Sequence, residues 1–64
     1  MDNQRILIVE DERIIALDLQ RRLEKFGFTV VGIAATAEES VELAREFRPH
    51  LILMDIMLAG PVDG

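Results

Sequence analysis

The 64-residue sequence has no cysteine, no tryptophan and no tyrosine, and only three phenylalanines, four glycines and two prolines. Without cysteine there is no disulfide framework and no thiolate metal site, so so small a chain must rely on an apolar core. No apolar run approaches the ~18–20 residues that span a bilayer. The start, Met1-Asp2-Asn3-Gln4-Arg5, lacks the basic segment and long apolar stretch of a secretory signal. Bases are scarce as well: seven Lys and Arg face twelve Asp and Glu, a formal net charge of −5. That balance argues against nucleic acid or an anionic membrane as a partner. These absences together predict a cytoplasmic protein whose acidic surface keeps it soluble. What is present suffices to fold, because half the residues are hydrophobic and 30% are charged, which argues against disorder.

Apolar runs alternate with helical patterns along the chain. Ile6-Leu7-Ile8-Val9 is a continuous, β-branched-rich run stopped by Glu10-Asp11-Glu12, as expected of a central parallel strand covered on both faces. From about Asp11 to Phe26 the period changes. Ile15, Leu19, Leu23 and Phe26 recur at helical spacing and predict one buried face, with Asp18 and Arg22 paired at i, i+4 on a more exposed side. Gly27 stands where a C-terminal helix glycine belongs. Phe28-Thr29-Val30-Val31, with Gly32-Ile33-Ala34 as its tail, reads as a second strand. Thr36 followed by Glu39 matches a capping box. The helix it opens carries Val41, Ala44 and Phe47 and stops before Pro49. Leu51-Ile52-Leu53-Met54 is a third strand ended by Asp55, and Ile56 to Gly64 reads as loop. The order β-α-β-α-β predicts an α/β fold with a parallel sheet and right-handed crossovers.

In an open α/β sheet, ligands sit beyond the carboxyl ends of the strands, where the winding direction reverses. Two strands end here in acid, one in Glu10-Asp11-Glu12 and the other in Asp55. If they are neighbours, their carboxylates converge and repel unless a cation neutralises them. Oxygen-only ligands suit Mg²⁺ or Mn²⁺, and an aspartate beside such a metal can attack a phosphoryl group. The plainer alternative is that Asp11 merely caps the first helix. Other chemistries are poorly supported. The loop after the first strand has no glycine, so neither a P-loop nor a dinucleotide fingerprint is present. Ser40 lies in mid-helix without a glycine elbow, and His50, beside Pro49, reads as a surface turn residue.

Ile6-Leu7-Ile8-Val9-Glu10-Asp11-Glu12, then Leu53-Met54-Asp55-Ile56-Met57-Leu58, then Asp63-Gly64, resembles the receiver domain of two-component response regulators. The resemblance covers the whole chain. It implies a flavodoxin-like, doubly wound parallel sheet, of which residues 1–64 are the N-terminal half: strands 2-1-3 of an expected 2-1-3-4-5. It also implies that Asp55 is the phosphoacceptor, attacking a phosphohistidine on a sensor histidine kinase or phosphotransfer protein, or a small phosphodonor. Asp11 would bind Mg²⁺ (or Mn²⁺) directly, Glu10 would assist through water, and Met57 would offer its backbone carbonyl. Two features depart from the family pattern. Ala59 stands where proline is usual, and the Asp-Gly pair arrives one residue late with Pro61 inside the loop, so a longer or differently shaped loop is expected. The family's fourth and fifth strands, with a hydroxyl residue and a lysine that contact the phosphoryl group, lie outside this sequence. Lys25, in the first helix, cannot substitute for that lysine.

The reading is thus of a signalling phosphoacceptor and not an enzyme, with partner specificity expected around Arg21, Arg22 and Lys25. The alternative is a phosphorylation-incompetent interaction or scaffold fragment, dimerising through the open edge of the third strand. A metal-dependent phosphohydrolase is a weaker third, because Met57 stands where that class usually has a second aspartate.

Overall fold

The apolar run from Ile6 to Val9 becomes the core of β1 (Arg5–Val9), the middle strand of a three-stranded parallel sheet. The computed structural model describes residues 4–54. After β1 come α1 (Arg13–Lys25), β2 (Thr29–Ala34), α2 (Ala37–Phe47) and β3 (Leu51–Met54), and the sheet order is β2-β1-β3. The predicted alternation and strand order 2-1-3 are found; α1 is shorter than the expected span of about Asp11 to Phe26, and β2 begins at Thr29 and not at Phe28. β1 is the strand whose apolar residues are buried on both faces. Ile6 and Ile8 pack with Ala16, Leu19 and Leu23 of α1, while Leu7 and Val9 pack with Leu43 and Ala44 of α2. The two helices therefore cover opposite faces, as the period-2 alternation of a strand requires.

β2 reconciles two faces by a bulge. Ile6 pairs with Val30 but Leu7 pairs with Gly32, which leaves Val31 as an extra residue. That insertion shifts the alternation, so Val30 and Ile33 both face the α1 side while Ala34 joins the α2 side. Gly32 lies under α2, where an added Cβ would stand 3.5 Å from side-chain carbons of Leu43 and Leu7.

Both helices are rotated slightly from the expected positions. On α1 the buried stripe is Ala16, Leu19 and Leu23, whereas Ile15 is 42% and Phe26 79% exposed. Small Ala16 lets the helix sit close to the sheet, which centres the contact on it and moves Ile15 to the flank. Phe26 is the C-cap, beyond the last helical residue, so helical spacing no longer aims it. On α2, Ser40, Leu43 and Ala44 lie toward the sheet and Val41 is half exposed. Ser40 is buried at no hydrogen-bonding cost, since its hydroxyl donates to the Ala37 carbonyl at 2.6 Å.

The helix ends follow their local chemistry. α1 closes in a Schellman motif: the Phe28 N–H donates to Leu23 O and the Gly27 N–H to Glu24 O, both at 3.0 Å. Gly27 takes φ +95°, a conformation that glycine enters without a Cβ penalty. Asp18 and Arg22 form the expected surface pair at 3.2 Å. At α2, Thr36 Oγ1 accepts from the Glu39 N–H at 3.1 Å, and Glu39 reaches back to the Ala35 N–H at 2.7 Å, one residue earlier than a standard capping box.

His50, expected to be a plain turn residue, is exposed but ties the amino end of β3 to β1. Its Nδ1 accepts from the Arg5 N–H at 3.0 Å, and its own N–H donates to Arg5 O at 2.8 Å. The Arg5 guanidinium in turn donates to the carbonyls of Arg48 and Phe47 at the end of α2, where a cation complements the helix dipole. No helix among the described residues is long and apolar enough to cross a membrane.

Candidate functional site

The chain winds from β1 outward to β2, then returns across β1 to β3, so the winding direction reverses between β1 and β3. That reversal opens a crevice at the carboxyl ends of the two strands. Among the described residues, β1 and β3 run parallel in the register Ile6↔Leu51 to Val9↔Met54. The next residue after Val9 is Glu10, and the next after Met54 is Asp55. Asp55 and Met57 lie outside the described residues, as do Ala59, Pro61 and the Asp63-Gly64 pair.

Glu10 is held on three counts. Its N–H donates to Ala34 O at 2.8 Å, which extends the β1–β2 ladder by one bond. Its side chain is only 4% exposed. One carboxylate oxygen, Oε2, accepts from the Glu12 N–H at 3.0 Å. This last contact answers the capping question. Glu12 is the N-cap of α1 and makes no side-chain cap bond. The acid that satisfies a backbone donor ahead of the helix is therefore Glu10, and Asp11 is left exposed beside it.

Glu10 and Asp11 line a cleft of about 280 Å³ together with Arg13, Ile33, Ala35 and Glu39. The acids are oxygen donors only. His50 is at the other end of β3, roughly 13 Å away along the strand at ~3.3 Å per residue, and the chain has no thiol. This donor chemistry fits a hard divalent cation such as Mg²⁺ and does not fit a soft metal. The described residues alone do not complete such a site, since no group of three or more Asp, Glu, His or Cys among them is placed to hold an ion. Arg13 and Glu39 also line the cleft and are not among the site residues that the sequence points to. The signals were there in retrospect: Arg13 follows the acid pair by two residues, and Glu39 opens the helix that follows β2 at the same sheet edge.

Comparison with known proteins gives a consistent picture. The model of the response regulator receiver domain matches residues 6–64. The chain is 50% identical over 60 residues to the phyllosphere-induced regulator PhyR of Methylorubrum extorquens, covering 92% of this chain and 22% of that protein. It is 42% identical over 55 residues to the transcriptional regulatory protein PdtaR of Mycobacterium tuberculosis, covering 86% of this chain and 27% of that protein. Among solved structures, the response regulator PhyR from Brucella abortus superposes with a TM-score of 0.83 at 41% identity, over 91% of this chain and 24% of that one. The chain thus spans about a quarter of the length of these relatives.

Proposed function

The chain belongs to the response regulator receiver domain family, and from that premise we propose that it accepts a phosphoryl group on Asp55, with Mg²⁺ (or Mn²⁺), from a sensor histidine kinase or phosphotransfer protein. The observation that carries this reading is the in-register pairing of Val9 with Met54. Covalent geometry keeps the Cα of Asp55 about 3.8 Å from that of Met54, which supports its meeting Glu10 and Asp11 at one sheet edge.

Asp11, exposed at the cleft, would hold the metal directly. Glu10, with one oxygen committed to the Glu12 N–H, would assist through water, and the Met57 backbone carbonyl would complete the set. When bound, the metal neutralises the crowded carboxylates and polarises the phosphoryl oxygens. One oxygen of the Asp55 carboxylate forms a bond to phosphorus in line with the leaving group. The phosphorus–nitrogen bond of the phosphohistidine breaks, and its electron pair returns to the imidazole, which takes up a proton. Glu10 and the α1 start fix the geometry that this in-line attack requires. The exposed side of α1, where Ile14 and Leu17 lie beside Asp18 and Arg21, offers a mixed apolar and charged face to the kinase. A cytoplasmic setting, where such kinases act, suits this role.

A second reading rests on β3, which pairs only with β1 among the described residues and leaves Leu51, Ile52 and Met54 each at least 43% exposed. A second copy adding a strand at that edge would make a homodimer, and a concentration-dependent mass in solution would reveal it.

The test uses the intact protein with a small phosphodonor and follows its mass. The reading predicts one phosphoryl adduct that forms with Mg²⁺ and fails to form when a chelator is added. An adduct indifferent to the chelator, or none under any condition, would sink it.

A further inference from the structure

We infer that Arg13 is an electrostatic positioning residue that draws the anionic phosphodonor into the cleft while weakening its hold on the divalent cation. The inference rests on the phosphoacceptor reading and concerns the regulation of the same site. Arg13 is the only cationic side chain among the described residues that line the cleft, whose lining it shares with Glu10, Asp11 and Glu39. It is uncommitted: among the described residues the ion pair is Asp18 with Arg22, and no hydrogen bond engages the Arg13 guanidinium.

Its position is also a poor one for helix stability. Arg13 is the first residue of α1, the first turn of α1 has no acid, and the N-cap Glu12 makes no side-chain cap bond. A cation at a helix N-terminus opposes the helix dipole. α2 shows the favourable arrangement in the same molecule, with Thr36 capping and Glu38 and Glu39 in the first turn. A local rule broken at a cleft and obeyed elsewhere marks a residue placed for the site. The Arg13 guanidinium is a cation. By Coulomb's law that charge attracts a dianionic donor and repels a divalent cation. A merely structural arginine would not give these opposite signs.

The experiment compares the intact wild type with Arg13→Ala, Arg13→Lys and Arg13→Glu. Mg²⁺ affinity is measured by calorimetry without donor, and phosphorylation by acetyl phosphate is followed by mass at saturating Mg²⁺. Arg13→Ala should slow phosphorylation roughly 3–10-fold at low ionic strength and tighten Mg²⁺ binding by a similar factor, with both effects shrinking as salt rises. Arg13→Glu should exceed these changes, and Arg13→Lys should remain near wild type. Unchanged values, or changes of the same adverse sign in both measurements, would overturn the inference. If the wild type takes up no phosphoryl group, the phosphoacceptor reading is what fails. The calorimetry still decides on Arg13, because an unaltered Mg²⁺ affinity in Arg13→Ala refutes its role.

Discussion

Asp11→Asn should weaken Mg²⁺ binding by well over an order of magnitude, since losing even an outer-shell partner typically costs about 10–100-fold. The same substitution should stabilise the metal-free protein slightly. Asp11 stands in a run of three acids, and Glu39 lines the same cleft, so removing one negative charge relieves repulsion. A ligand that binds only the native state stabilises it by about 2.7 kcal/mol at a hundred times its dissociation constant. The wild type should therefore melt at increasing temperature as Mg²⁺ is added, whereas Asp11→Asn should start higher and respond little. Thermal melts across a Mg²⁺ series check this. A variant that starts lower, as it would if Asp11 were structural, is the contrary result.

Ile8→Ala should be the most damaging of the simple truncations, costing about 2–5 kcal/mol as a large-to-small change in a packed core. Ile8 is 0% exposed and sits under α1 with Ala16. A loss of that size is a large share of the ~5–15 kcal/mol by which a domain is stable. Ile14→Ala is the control. It removes a side chain of the same size that is 81% exposed, and it should change stability by no more than about 0.5 kcal/mol. Urea unfolding of the intact protein measures both. Equal effects at the two positions would contradict the assignment of β1 as the buried central strand.

The parts of this fold that were legible in the sequence are those in which one local rule acts alone. A run apolar on both faces marked β1 as central, Thr36 and Glu39 marked the start of α2, and Gly27 marked the end of α1. The errors came where tertiary packing decided between near-equivalent residues. Ile15 and Ala16 are adjacent, and hydrophobicity favours the first, but close approach of α1 to the sheet favours the second. Val41 lost its place to Leu43 on α2 in the same way. The Val31 bulge was invisible because an extra residue leaves a run of β-branched residues looking like a run. At the site, the acid pair was legible as paired carboxylates after a strand. A division of labour within it came only from the family resemblance; in the structure Glu10 is buried and tied to the Glu12 N–H while Asp11 is exposed. Arg13 is hard to read from the sequence, because its place two residues after the acid pair marks a site only once the cleft is known.

The central claim is that β1 and β3 deliver their acids to one edge so that Asp55 becomes the phosphoryl acceptor. It is tested most directly by reducing the phosphorylated intact protein with borohydride, which converts an aspartyl phosphate to homoserine, and sequencing the resulting peptides by mass. The account predicts homoserine at position 55 alone, and none in Asp55→Asn. Modification at Asp11 or Glu10 instead, or an adduct that persists in Asp55→Asn, would contradict it.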